Sequence, residues 1–179
     1  DNTPLALKSR LAAAQSMRHF ATSVLGLPDN GSFTRYADLE RKYVVWTVFA
    51  APEFSLELNE WCYPFAGCVT YRGYFSEDKA RAQDGQLRTL GFDTHYGGVA
   101  AYSTLGWLDD PLLNTVTGYG DARLAGLIFH ELAHQQLYIP GDTSFNEGFA
   151  TVVENAGVRR WLEHQADPVM TSDYAAHRR

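Results

Sequence analysis

The 179-residue sequence predicts an α+β fold, a small and mostly antiparallel sheet packed on helices. Three observations carry this. Apolar residues recur at helical spacing in the segments 4–25, 76–90, 121–138 and 144–165. β-Branched and aromatic residues crowd 42–51, 68–75 and 95–103, which read as strands. The two kinds of segment follow one another without the strand–helix–strand rhythm of a parallel sheet.

The elements can be justified in order. Leu7, Leu11, Ala14, Met17 and Ala21 line one face of the first helix, which Gly26-Leu27-Pro28 ends. Asp29-Asn30-Gly31-Ser32 is a turn. KYVVWTVFAA at 42–51 is a buried strand stopped by Pro52, and CVTYRGYF at 68–75 is a second, entered through the loop 63–67. Ser76 caps the next helix, with Glu77 and Asp78 in its first turn and Gly91 closing it. HYGGVAAYS at 95–103 is a third strand, with Gly97-Gly98 marking a bulge or the close approach of another backbone. A loop at 109–120 leads to two strong helices separated by Pro140-Gly141, and the tail from Asp167 is polar. No repeat and no internal linker interrupts the chain, so a single domain over 1–179 is expected.

Composition narrows the function. The chain is 45% hydrophobic and 20% charged, enough to build a core and unlike a disordered segment. Its net charge of −6 argues against nucleic acid or an anionic membrane as the main partner. Its apolar runs are too short for a transmembrane helix. Cys62 and Cys68 either close a short disulfide loop in an oxidising compartment or remain two thiols. Trp46, Trp61 and Trp107 read as core residues.

The chemistry concentrates in His130-Glu131-x-x-His134. Residues i and i+4 stand one above the other on a helix, so both imidazoles can reach one ion, and Glu131 can address a water on it. Leu124, Ala125, Leu127, Ile128, Phe129, Leu132, Ala133 and Leu137 make the helix apolar nearly all round, hence buried. Two imidazoles and a carboxylate are costly there unless a dication compensates them. A catalytic zinc takes three protein ligands and keeps a position open. The His-x2-Gly-x2-His continuation fails, because Leu137 and Pro140 stand at the Gly and His positions. Glu147, folded back by the Pro140-Gly141 turn, is the expected third ligand, and Asp142 is its rival. Another reading makes Ser144-x-x-Glu147 a capping box. Thr151 and Glu154 could support a ligand histidine by hydrogen bonding, or Glu154 could instead pair with Arg159 or Arg160.

His130-Glu131-x-x-His134 followed by Asn146-Glu147-Gly148-Phe149-Ala150 resembles the gluzincin metallopeptidases, in which the glutamate of Asn-Glu-Gly is the third zinc ligand. The chain is still more similar to a bacterial family whose name is putative aminopeptidase. The stretches that carry this are Leu25-Gly26-Leu27-Pro28-Asp29-Asn30, Tyr43-Val44-Val45-Trp46, Ala51-Pro52-Glu53-Phe54-Ser55-Leu56, Trp61-Cys62, Gly67-Cys68-Val69-x-Tyr71-Arg72-Gly73-Tyr74-Phe75, Ala101-Tyr102-Ser103-Thr104-Leu105-Gly106-Trp107, Asp110-Pro111-Leu112-Leu113-Asn114-Thr115 and the metal motif.

The resemblance implies a zincin-like domain and a zinc-dependent peptidase, an aminopeptidase acting on a peptide or protein substrate. Zn2+ would be held by His130, His134 and Glu147, with Glu131 as the catalytic base. It also implies an export signal outside a chain trimmed at one or both ends, and a place in the bacterial cell envelope or periplasm. As in zinc peptidases, the strand before the metal helix would bind substrate, here through Gly98, Val99, Ala100 and Tyr102, or else it is an ordinary core strand.

Two departures from the broader gluzincins bear on activity. The interval from His134 to Glu147 is short, and no downstream Tyr or His stands in the usual oxyanion position. Tyr102, Tyr119, Tyr138, His164 and Tyr174 are the candidates within the chain. The stretch 97–102 also lacks the carboxylate that holds a free amine in aminopeptidases. An endopeptidase, a zinc-stabilised scaffold without catalysis, and a site completed by a missing segment or a partner chain are the alternative readings.

Overall fold

The computed structural model describes residues 3–63, 67–101 and 103–166. These fall in two compact units, one within residues 1–38 and 103–179 and the other within 39–102. The architecture is the expected α+β arrangement of small, mainly antiparallel sheets with helices packed on them.

The unit within 39–102 is built around β2 (Val45–Pro52). It pairs antiparallel with β5 (Arg72–Tyr74) on one side and β6 (Phe92–Val99) on the other, so β6 is an edge of this three-stranded sheet. Side chains alternate along β2. Val48 and Ala50 point at α2 (Glu77–Thr89), which contributes Ala80 and Leu87, and Trp46, Trp61, Tyr74, Phe92 and Tyr96 close the cluster. Asp84 anchors α2 to the sheet: it accepts from Arg88 Nε at 2.9 Å and from Thr94 Oγ1 at 2.5 Å. Burial alone would raise the Asp84 pKa. These two hydrogen bonds and the Arg88 charge outweigh it, so the pKa lies below the ordinary value.

A stability prediction follows from that sign. A carboxyl with a lower pKa when folded stabilises the fold above its unfolded pKa of about 3.9, and the contribution is lost as pH falls through the folded value. Asp84→Asn should therefore cost about 1–2 kcal/mol at pH 7 in urea unfolding, and the gap to wild type should close in strong acid. A gap that is unchanged in acid would contradict the anchoring role.

The expected strand 68–75 is two strands in two sheets. β4 (Gly67–Val69) pairs with β3 (Trp61–Tyr63), β5 pairs with β2, and the chain breaks between them at 70–71. Both halves have strand composition, but their partners differ. Cys62 and Cys68 are directly opposite in the β3–β4 ladder and form a disulfide. β2 runs on through Pro52, which pairs with Phe92, and β6 begins before the expected His95.

The other unit is helical. α1 (Leu5–Ser23) packs on α4 (Asp121–Gln136), and α4 packs on α5 (Thr143–Gln165). Met17, Phe20, Leu124, Ile128, Phe129, Leu132, Val158, Trp161 and Leu162 form the buried core. Burying each such large side chain contributes about 1.5–3 kcal/mol. α5 approaches closely because residue 157 is glycine: a Cβ there would stand 2.8 Å from the Phe129 ring and 2.9 Å from Leu25. The expected loop 109–120 contains β7 (Leu112–Leu113), parallel to β1 (Tyr36–Ala37), and the short α3 (Asn114–Thr117). Trp107, expected in the core, is 87% exposed, in a turn whose residues 106–109 are all exposed. The tail from Asp167 lies outside the described residues.

Candidate metal centre

α4 begins at Asp121 and is buried along the face that carries Leu124, Ile128, Leu132 and Ala133. Its 3.6-residue period sets His130 and His134 side by side, with ring centroids 4.8 Å apart and Nε2 atoms 3.1 Å apart. The chain leaves the helix after Gln136 and turns at Gly141, whose φ of 86° suits a residue without a Cβ. It then enters α5.

Asn146 holds this turn shut. Its Nδ2 donates to the Ile139 carbonyl and its Oδ1 accepts from the Ile139 amide, both at 2.8 Å, and the side chain is 2% exposed. The residue after it is Glu147. With its neighbour fixed, Glu147 brings Oε2 to 3.3 Å from His130 Nε2 and Oε1 to 3.6 Å from His134 Nε2. The three donor atoms lie within 4.8 Å of one another, a cluster able to hold a metal ion.

The α5 start also separates the alternatives. Asp142 is the N-cap, accepting from the Phe145 amide at 2.9 Å, so the carboxylate weighed as a rival ligand is a helix cap. Glu147 is thereby free of a capping role toward Ser144. Glu154, two turns on, accepts from His130 Nδ1 at 3.0 Å rather than pairing with Arg159 or Arg160. Arg160 reaches the Val24 carbonyl, and Thr151 is exposed on the helix. The Glu154 bond puts the proton of a neutral His130 on Nδ1 and leaves Nε2 a bare lone pair facing Glu147 and His134. His134 Nδ1 is buried and lacks a hydrogen-bond partner among the described residues.

Electrostatics differ across the cluster. The Glu154 hydrogen bond raises the His130 pKa against burial, with the carboxylates of Glu131, Glu154 and Glu147 adding to it. Burial lowers the His134 pKa, and neighbouring His130 lowers it further. Burial raises the Glu131 pKa, and the charges of Glu147 and Asp110 push the same way against His130 and a hydrogen bond with Ser103. A carboxylate that burial pushes toward neutrality is suited to accepting a proton.

Of the oxyanion candidates, Tyr138 stands edge-on to His134 with centroids 6.3 Å apart. Tyr119 lies under Arg123, His164 packs on Phe20, and Tyr102 and Tyr174 lie outside the described residues. Gly98 and Val99 end the edge strand β6, and Ala100 follows it, all in the other unit. The Tyr43 ring occupies the space beside Gly98, where a Cβ would come within 2.2 Å of it. Sequence reasoning did not find the role of Asn146, for which the Asn-Glu-Gly string was a signal.

An α+β fold with His-Glu-x-x-His on a buried helix, faced by a carboxylate from the next helix, defines the class as an HExxH-type candidate metalloprotein. The chain belongs to the Putative aminopeptidase family, whose model matches residues 1–179. That membership suggests peptidase activity. Searches of curated proteins and of solved structures return no match.

Proposed function

We propose that the protein is a zinc-dependent peptidase, an aminopeptidase as its family name suggests, with His130, His134 and Glu147 as metal ligands and Glu131 as the catalytic base. One observation carries the reading. The two Nε2 atoms stand 3.1 Å apart, and the Glu147 carboxylate sets Oε2 3.3 Å from that of His130 and Oε1 3.6 Å from that of His134. Tetrahedral ligands at zinc bond lengths are about 3.3–3.4 Å from one another, close to each of these three separations. Two imidazoles and one carboxylate are also a donor set that zinc accepts while keeping a position open.

Zinc held there would polarise a substrate carbonyl and make a water acidic near neutral pH. The protein's own groups do the rest. Glu131 takes the proton of the attacking water and delivers it to the departing amine. Glu154 keeps the His130 lone pair aimed at the ligand cluster. Tyr138 is the donor proposed for the developing oxyanion. The substrate is an extended peptide or protein segment, and Gly98, Val99, Ala100 and Tyr102 are the proposed backbone-binding residues. The Cys62–Cys68 disulfide fits an oxidising compartment such as the bacterial periplasm or cell envelope, which is part of the same proposal.

The test is a peptide library with free and blocked N-termini, offered to zinc-loaded protein. Cleavage is expected, abolished by exhaustive chelation and restored by zinc, with free N-termini preferred if the enzyme is an exopeptidase. Cleavage that persists in metal-free protein would refute zinc dependence. Zinc binding without any cleavage would leave an inactive scaffold.

A further inference from the structure

We propose that the segment 53–57 of one copy of this chain docks in an apolar cavity on the β5–β2–β6 sheet of a second copy. The proposal stands apart from the peptidase reading, and both surfaces lie within the unit 39–102.

The cavity follows from how the sheet is covered. α2 packs on the face that carries Val48 and Ala50. Val45, Thr47 and Phe49 alternate onto the opposite face. Thr47 pairs with Gly73 on one side and Gly97 on the other, so the middle of that face is low. Larger side chains stand around it: Val45 and Phe49 from β2, and Tyr71 and Phe75 from the residues flanking β5. The hollow has a volume of about 490 Å³, within the range of ligand pockets. Phe75 is 76% exposed. Arg41 marks the rim, with Cζ 5.8 Å from the centre of the Phe75 ring and Nη1 donating to the Phe75 carbonyl at 3.2 Å. An apolar hollow with a guanidinium at its edge suits an apolar guest with a carboxylate beside it.

The same chain carries such a guest. After β2, the Ser55 amide donates to the Pro52 carbonyl at 3.0 Å, and Ser55 Oγ accepts from the Glu57 amide at 3.0 Å. The Asn59 amide closes the segment on the Ala50 carbonyl at 2.7 Å. This ordered turn presents Phe54, 97% exposed, and Leu56, fully exposed, between the exposed Glu53 and Glu57. Phe54 has a φ of 63°, a left-handed conformation that is costly for a bulky residue. Within one chain, that conformation gains no burial for the ring. A second copy supplies it: Phe54 and Leu56 enter the hollow, and a flanking carboxylate meets Arg41. Two copies related by a two-fold axis make the contact twice.

The experiment is sedimentation of the full chain over a concentration series, for wild type, Phe54→Ala, Leu56→Ala and Phe75→Ala. All three side chains are exposed, so the variants should keep the wild-type circular dichroism and melting temperature. Wild type should show a monomer–dimer equilibrium. Phe54→Ala and Phe75→Ala should each weaken it by about 30-fold or more, the effect of removing an interface hot spot, with Leu56→Ala acting in the same direction. The decisive sample mixes Phe54→Ala with Phe75→Ala. A mixed pair has one intact contact and loses the other only once, because both substitutions fall in it. The mixture should therefore associate more tightly than either variant alone. A wild type that stays monomeric throughout overturns the proposal and leaves the hollow to another ligand. Variants that dimerise like wild type, or a mixture that falls between its two components, show that residues 54 and 75 do not meet and overturn it equally.

Discussion

Glu131→Gln should keep its zinc and lose kcat by about 10²–10⁴-fold, the usual contribution of a positioned general base. The substitution is nearly isosteric. It leaves His130, His134 and Glu147 in place, and with them the donor triangle. An amide cannot take up the proton that the carboxylate accepts, so the loss falls on turnover and not on metal binding. Nor should the fold suffer, since burial already disfavours the Glu131 charge and glutamine removes it. Metal content by atomic absorption and steady-state kinetics on one cleaved peptide suffice. A Gln variant that turns over at the wild-type rate would show that the base is another group.

His134→Ala should abolish stoichiometric zinc binding and, with it, cleavage. His134 is the proposed source of one of three ligand atoms, from a position 7% exposed, and no other imidazole is available to that corner among the described residues. Glu154→Ala offers the graded comparison. It spares all three ligands and removes the carboxylate that fixes the His130 ring, so zinc affinity should fall about 10- to 100-fold and activity should return at high zinc. Isothermal titration of the metal-free proteins with zinc separates the cases. Wild-type affinity in Glu154→Ala would remove the orienting role, and full zinc occupancy in His134→Ala would remove the ligand set.

Local pattern accounts for what the chain made legible. Helices α1, α2, α4 and α5 are written as apolar residues at 3.6-residue spacing, and each lies where that spacing puts it. The helix ends are less legible, because several polar residues compete for each cap. Asp142 wins over Ser144, and Ser76, though placed as an N-cap, makes no side-chain capping bond. Segment 68–75 reads as one strand because strand composition does not name a partner; pairing with β3 and β2 in turn splits it.

The ligand candidates themselves were fixed by the amino-acid order. His130 and His134 share a helical face whatever surrounds them, and Glu147 is announced by the Asn-Glu-Gly string. The convergence of those groups belongs to long-range packing: Gly157 admits Phe129, Asn146 clamps Ile139, and Glu154 arrives beside His130. The physical reason is range. A helix period acts through bonds a few residues apart, whereas the hydrogen bond between His130 and Glu154 exists only once the intervening chain has folded and brought them together.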